Sequence, residues 1–210
     1  MIRPLTSAAL LTALLGLGAC TILPESEALS VYQFPTPPST SASVDQRAPL
    51  SLRVNTPQAG YAFSGPRIIV VTPDDRVQSY KGVRWSDPSP QLLREYLAMS
   101  LQRSGALSSV TTDEHALHAD VHLDTNLRRF NLDLDGTSRV VIELDARLVN
   151  PESRRIYLSR HFQVEQPVDN TQIDGVVAAY GQASEALARE LVAWTAQQVA
   201  VIPQELAVPE

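Results

Sequence analysis

The stretch Ala119-Asp120-Val121-His122-Leu123-Asp124-Thr125-Asn126-Leu127-Arg128-Arg129-Phe130-Asn131-Leu132-Asp133-Leu134-Asp135-Gly136 reads as one long strand closing on a turn. Side chains two apart on a strand share a face. Ala119, Val121, Leu123 and Leu127 have one parity, and Phe130, Leu132 and Leu134 have the other. A bulge near Arg128-Arg129 therefore restores a single buried face, because one extra residue shifts the pattern by one. Asp135-Gly136 supplies a hairpin turn. The return strand alternates, with Val140, Ile142, Leu144, Ala146 and Leu148 inward and Glu143, Asp145 and Arg147 outward. A second turn at Asn150-Pro151-Glu152-Ser153 leads to a third strand. There Ile156, Leu158, Phe162 and Val164 face inward and Arg160 interrupts them, as inward charges do on edge strands.

Upstream, Leu50–Val54, Arg67–Thr72 and Val77–Tyr80 have strand composition, the last two separated by Pro73-Asp74-Asp75. Asp87-Pro88 has the form of a helix start. Leu93, Tyr96, Leu97 and Leu101 follow at helical spacing until Ser104-Gly105 ends the run. Downstream, Ile173, Val176, Val177, Tyr180, Ala183, Leu187, Leu191 and Trp194 form an apolar stripe in a long helix expected over Thr171–Val201, stopped by Pro203. The pattern lacks βαβ alternation. The expected fold is α+β, a mostly antiparallel sheet covered on one face by two helices.

The N-terminus carries an address rather than a fold. Arg3 precedes the apolar run Leu5–Leu15, which is too short to span a membrane and suits a cleavable signal. Leu17-Gly18-Ala19-Cys20 has the form of a lipobox, which makes Cys20 the expected lipidation site. The Pro/Ser/Thr-rich Pro35–Pro49 reads as a tether. Just before it, between the anchor and the domain, Val31-Tyr32-Gln33-Phe34 has strand composition and is expected to pair with the domain. The expected organisation is a signal peptide over 1–19, a lipidated N-terminus and tether over 20–49, one domain over 50–203 and a tail over 204–210.

Cys20 is the only cysteine, so no disulfide supports the core. The chain has 17 Lys and Arg against 23 Asp and Glu, and a net charge of −6, without a basic cluster, argues against nucleic acid as a partner. Membrane contact is expected through the acyl chains. Gly-x-Ser-x-Gly, P-loop and His-Glu-x-x-His motifs are absent, and no catalytic residue, cofactor or metal is assigned. His118, Asp120 and His122 share a parity that a metal site would use, yet they lie opposite Val121 and Leu123 on the face expected to be solvated, which needs no metal to explain it. Asn131, Asp133 and Asp135 imitate the start of a calcium loop, but the twelfth position is Ile142 and the hairpin accounts for the aspartates. Trp85 and Trp194 are the candidate partner contacts, each weighed against a place in the core. The helix tail at Trp194 and Val199 is where a homo-oligomer would pack.

Some local sequence carries a family resemblance. Arg67-Ile68-Ile69-Val70, then Val77-Gln78-Ser79-Tyr80-Lys81-Gly82-Val83-Arg84-Trp85-Ser86-Asp87-Pro88-Ser89-Pro90-Gln91-Leu92-Leu93, with Leu97 and Leu101 before Gly105, resembles the ABC-type transport auxiliary lipoproteins, the PqiC-like group. Tyr32-Gln33-Phe34 and Ser51-Leu52-Arg53-Val54 fit the same pattern. Ser86 stands where alanine is common in the family, and Ser89-Pro90 where two prolines often stand. The resemblance implies a lipid-anchored domain at the outer membrane, facing the periplasm, whose partners are an MCE-domain protein and ABC transporter components. Thr21 after the cysteine, rather than aspartate, implies the outer membrane. The expected role is an accessory component of intermembrane lipid transport that acts by protein contact and is not an enzyme. The alternatives are a lipid-binding module that handles cargo in an apolar cavity, and a structural envelope-assembly lipoprotein.

Overall fold

The computed structural model describes residues 29–38, 47–200 and 202. In order, the elements are β1 (Ser30–Tyr32), β2 (Ala48–Val54), β3 (Gln58–Ala59), β4 (Ile69–Val71), β5 (Val77–Ser79), β6 (Val83–Trp85), α1 (Ser89–Ser104), β7 (Leu107–Thr112), β8 (Val121–Asp133), β9 (Arg139–Val149), β10 (Ile156–Pro167) and α2 (Ile173–Val199). Cys20, the signal segment, residues 39–46 of the tether and the tail from Pro203 lie outside the described residues.

The meander forms with the expected bulge, but in its third strand only Phe162 and Val164 are buried, while Ile156 and Leu158, expected inward, are exposed where the register shifts between them. β8 pairs antiparallel with β9, and its register shifts between Leu127 and Arg129, the bulge that brings Phe130 and Leu132 onto the face of Val121 and Leu123. β10 pairs antiparallel with β9 and, among the described residues, has no strand on its other side. Arg160 keeps its charge outside the core by lying 4.8 Å over the Phe162 ring and 4.0 Å from Glu190.

The sheet is mixed, which corrects the expectation of a mostly antiparallel one. β2 lies between β7 and β8 and runs parallel to both. β3 and β4 also run parallel to β8, and β1 runs parallel to β6 in a separate two-stranded sheet. Parallel neighbours need a long crossover. The link from β2 to β7 contains β3 to β6 and α1, so the parallel unit leaves no compact βαβ signature. β7, Leu107-Ser-Ser-Val-Thr-Thr, has too few apolar residues to announce itself.

α1 begins at Ser89, with Pro88 at the cap position and no side chain capping it, so Asp87 does not serve as the cap. Gly105 ends it at φ 68°, a left-handed conformation that costs glycine little. α1 packs against β7 and α2, and α2 against β9 and β10. The core between them holds Leu52, Leu97, Leu123, Ile142, Leu187 and Leu191.

The N-terminal segment completes that core. β1 pairs with β6, as its composition suggested. Phe34 then lies 5.3 Å from Trp85, 5.9 Å from Tyr96, 5.8 Å from Phe130 and 6.5 Å from Tyr180, ring centre to ring centre. Gly181 on α2 lets this segment approach, since a Cβ there would sit 3.1 Å from the Pro35 Cβ. Arg103 donates to the carbonyl of Pro37, and to that of Pro38 at 3.1 Å.

Candidate functional site

At the end of β8 farthest from Phe34, the loop from Asp113 to Asp120 is fastened at both ends by polar clamps. Arg94, buried on α1, donates from Nη1 to Asp113 Oδ1 and Thr56 Oγ1, both at 2.9 Å. Its Nε donates to Glu95 at 2.9 Å, and Nη2 donates to Glu114. Asp113 also accepts from the Thr56 amide at 2.9 Å and its hydroxyl at 3.0 Å. Burial opposes the charge on Asp113, but the Thr56 and Arg94 donors prevail and hold its pKa below the ordinary value. At the other end, Asp120 Oδ2 accepts from the Ser51 hydroxyl at 2.6 Å and the Ser51 amide at 2.7 Å. The Asp120 amide donates back to Ser51 Oγ at 3.0 Å. These donors depress the Asp120 pKa, the hydroxyl most.

Beside this loop stands the β9–β10 turn. Asn150 Oδ1 accepts from the amides of Glu152 at 2.9 Å and Ser153 at 3.0 Å, which shapes the turn. Its Nδ2 donates to the Tyr157 hydroxyl at 2.7 Å. Loop and turn enclose a cavity of about 270 Å³ lined by Ser51, His118, Ala119, Asp120, Asn150, Pro151 and Glu152. Three aliphatic side chains in the adjoining segments are exposed: Leu117 in the loop at 58%, and Ile156 at 50% and Leu158 at 39% in the first residues of β10. A small polar-lined hollow near exposed aliphatic side chains on an edge strand suits contact with a protein better than enclosure of a lipid tail.

The other residues singled out from sequence fall elsewhere. Trp85 is fully buried and meets Tyr180 at 5.2 Å. Trp194 is buried against Phe162 at 5.7 Å. Both rings are committed to the core, so neither offers the surface contact considered for them. Asp120 is occupied by Ser51, β8 starts only at Val121, and His118 belongs to the loop, so the expected row His118, Asp120, His122 is not one strand face. Among the described residues, no three His, Cys, Asp or Glu groups are placed to hold a metal. Asp133 receives Arg129 at 2.5 Å and the Asp135 amide at 2.9 Å, which engages the oxygens a calcium loop would need.

Sequence reasoning missed the clamps. Ser51 and Asp120 are 69 residues apart, and Arg94 reaches Thr56 across 38, so only the register of β2 against β8 makes them neighbours. His161 meets Asp145 Oδ1 at 2.8 Å. It sits directly across the β9–β10 ladder from that aspartate, a pairing the two hairpin registers would have predicted.

The model of the ABC-type transport auxiliary lipoprotein component family matches residues 32–192. The crystal structure of a Xanthomonas campestris protein assigned to the DUF330 family model is 27% identical, with a TM-score of 0.73, covering 83% of this chain and 99% of that one. A second crystal structure, of an uncharacterized protein, is 22% identical with a TM-score of 0.58, covers 86% of this chain and 100% of that one, and shares the fold. An uncharacterized protein from Bradyrhizobium diazoefficiens is 26% identical over 168 residues, 75% of this chain and 46% of that protein. The chain thus spans about half the length of the curated relative it matches. Among the described residues, no helix is long and apolar enough to cross a membrane.

Proposed function

Because the chain belongs to the ABC-type transport auxiliary lipoprotein component family, we propose that it is a non-enzymatic, lipid-anchored accessory component of an ABC/MCE-type intermembrane lipid-transport system. It is anchored through Cys20 at the outer membrane, faces the periplasm and acts by protein contact. The observation that carries the contact reading is the β10 edge, where Ile156 and Leu158 are exposed on a strand that has, among the described residues, one hydrogen-bonded neighbour. Arg160 blunts the middle of this edge, whereas its Ile156–Leu158 end is left apolar, and an apolar stretch of edge marks a docking surface. An arriving strand finds unpaired backbone groups on β10 and aliphatic side chains to bury. Thr21 after Cys20 supports the outer membrane by family analogy.

The test is affinity capture of the membrane-extracted lipoprotein, with mass spectrometry of co-purifying proteins and lipids. The expected result is recovery of an MCE-domain protein or an ABC component, reduced about tenfold by Ile156→Asp with Leu158→Asp, equivalent to about 1.4 kcal/mol of lost contact. Recovery of lipid without protein points instead to cargo handling. Recovery of neither overturns the transport role.

A further inference from the structure

We propose that the β1–β6 edge is the membrane-facing surface of the protein, docked on the headgroups of the leaflet that holds the lipid on Cys20. The inference rests on Cys20 being lipidated and adds which face meets the bilayer. The first point is the length of the leash. Read as a tether to Pro49, the chain would give about 100 Å of reach at roughly 3.6 Å per extended residue. The fold, however, takes hold much earlier. The Ser30 amide donates to Gly82 at 2.9 Å and the Ser86 amide to Tyr32 at 2.8 Å. Phe34 is seated among Trp85, Tyr96, Phe130 and Tyr180, and Pro35 lies against Gly181. Eight residues separate Cys20 from Leu29, and the chain between the two spans at most about 32 Å.

The second point is what the chain presents where it emerges. Leu29 is 55% exposed and Val31 51%. Val31 is the register partner of Arg84, so in a parallel ladder the two share a face, while Tyr32, which donates to Asp174, points to the other. Arg84 directs Nη1 to the carbonyls of Trp85 at 3.0 Å and Ser86 at 3.5 Å, and Lys81, two residues before β6, is exposed. Aliphatic side chains beside Lys and Arg fit the boundary between acyl chains and phosphates, where the first are dehydrated and the second meet anionic oxygens. A short leash holds this edge at an effective concentration on the order of millimolar, so a weak contact suffices. The same placement turns the β9–β10 turn away from the bilayer, because Phe130 and Val121 stand roughly 30 Å apart along β8 at about 3.3 Å per residue.

The experiment uses the full lipidated protein in vesicles of phosphatidylethanolamine and phosphatidylglycerol carrying a headgroup-bound quencher. A fluorophore is attached through Gln33→Cys near the leash or Ser153→Cys in the β9–β10 turn. The expected result is several-fold stronger quenching at position 33, and loss of that excess when Leu29→Glu and Val31→Glu are added. Equal quenching at both positions, or an excess that survives the two glutamates, overturns the proposal. Detergent-phase partitioning of the same samples reads the anchor separately. Protein found in the aqueous phase defeats the lipidation reading itself, whereas detergent-phase protein with equal quenching defeats only this inference.

Discussion

The two ends of β8 are held together by different physics. At the Phe130 end, five aromatic rings from the N-terminal segment, β6, α1, β8 and α2 pack within 6.5 Å of Phe34 or of one another. At the Val121 end, order comes from charge-assisted hydrogen bonds that pin a loop, Arg94 to Asp113 and Ser51 to Asp120. Apolar packing ties the first end to everything around it, since Phe34 and Tyr180 each meet at least three of the other rings. Polar clamps act locally and leave the aliphatic groups between them, Leu117 above all, to the solvent. A tethered accessory protein needs both arrangements: a stiff end that transmits the anchor, and an adjustable end that can take a partner.

The contrast is easiest to break at Phe34. Phe34→Ala removes the ring shared by Trp85, Tyr96, Phe130 and Tyr180, and should cost about 3 kcal/mol, since it leaves a cavity at the edge of the core. Thermal melting should fall by roughly 10 °C for a domain of this size. A loss below about 1 kcal/mol would mean that the N-terminal segment lies on the core without belonging to it. At the other end, Arg94→Met keeps the buried stem but strands Asp113 beside Thr56 without its counter-charge. We expect a loss of about 2 kcal/mol, because Glu95 and Glu114 are half exposed and water replaces the guanidinium for them. Proteolysis should then increase within 113–120 while Phe34 stays protected. Cleavage around residues 29–38 instead would show that the two ends are one cooperative unit.

The first of these ends was more legible in the sequence than the second. The bulge at Arg128 followed from the parity of seven apolar residues, because one face of β8 must stay buried. The helical spacing of Leu93, Tyr96, Leu97 and Leu101 located α1, although the start fell at Ser89 because Pro88 rather than Asp87 occupies the cap. Val31-Tyr32-Gln33-Phe34 advertised a strand, yet nothing local said that Phe34 would enter the aromatic core. The far end was hidden because its determinants are non-local. β2 beside β8 in parallel is specified by neither strand alone, and without that pairing Ser51 and Asp120 are two ordinary surface residues. Apolar burial leaves a periodic trace along one element, whereas a polar clamp between elements leaves none.

The smallest effect, and the one that separates the ends most cleanly, is their response to pH. His122 on β8 faces Arg53, Asp124 and His118; burial, then Arg53 and His118, lower its pKa against the opposing pull of Asp124. Its neutral form is therefore favoured by folding, and its contribution is complete above about 6.5, the unfolded value, and is lost as pH falls through the lower folded value. Asp113 and Asp120, also depressed, contribute fully above about 3.9 and lose that contribution only below it. Asp133, near the opposite end of β8, is depressed too, chiefly through the Asp135 amide and Arg129 against burial, so acid below about 4 loosens both ends and discriminates nothing. The aromatic end behaves in the opposite sense. Burial, then Glu185, pushes Tyr96 up to about 12, and burial alone pushes Tyr180 higher still. Those tyrosines contribute fully below about 10, and the contribution is lost as pH rises through the raised folded values. Spin labels introduced through Ser153→Cys and Gln33→Cys should therefore diverge. Mobility at 153 should rise as pH falls from about 6.5 to 4, an increase that His122→Gln abolishes, while mobility at 33 should rise only above about 10. Parallel changes at both positions between pH 4 and 6.5 would show that His122 acts on the whole fold, and that the polar end is not free to adjust without the aromatic one.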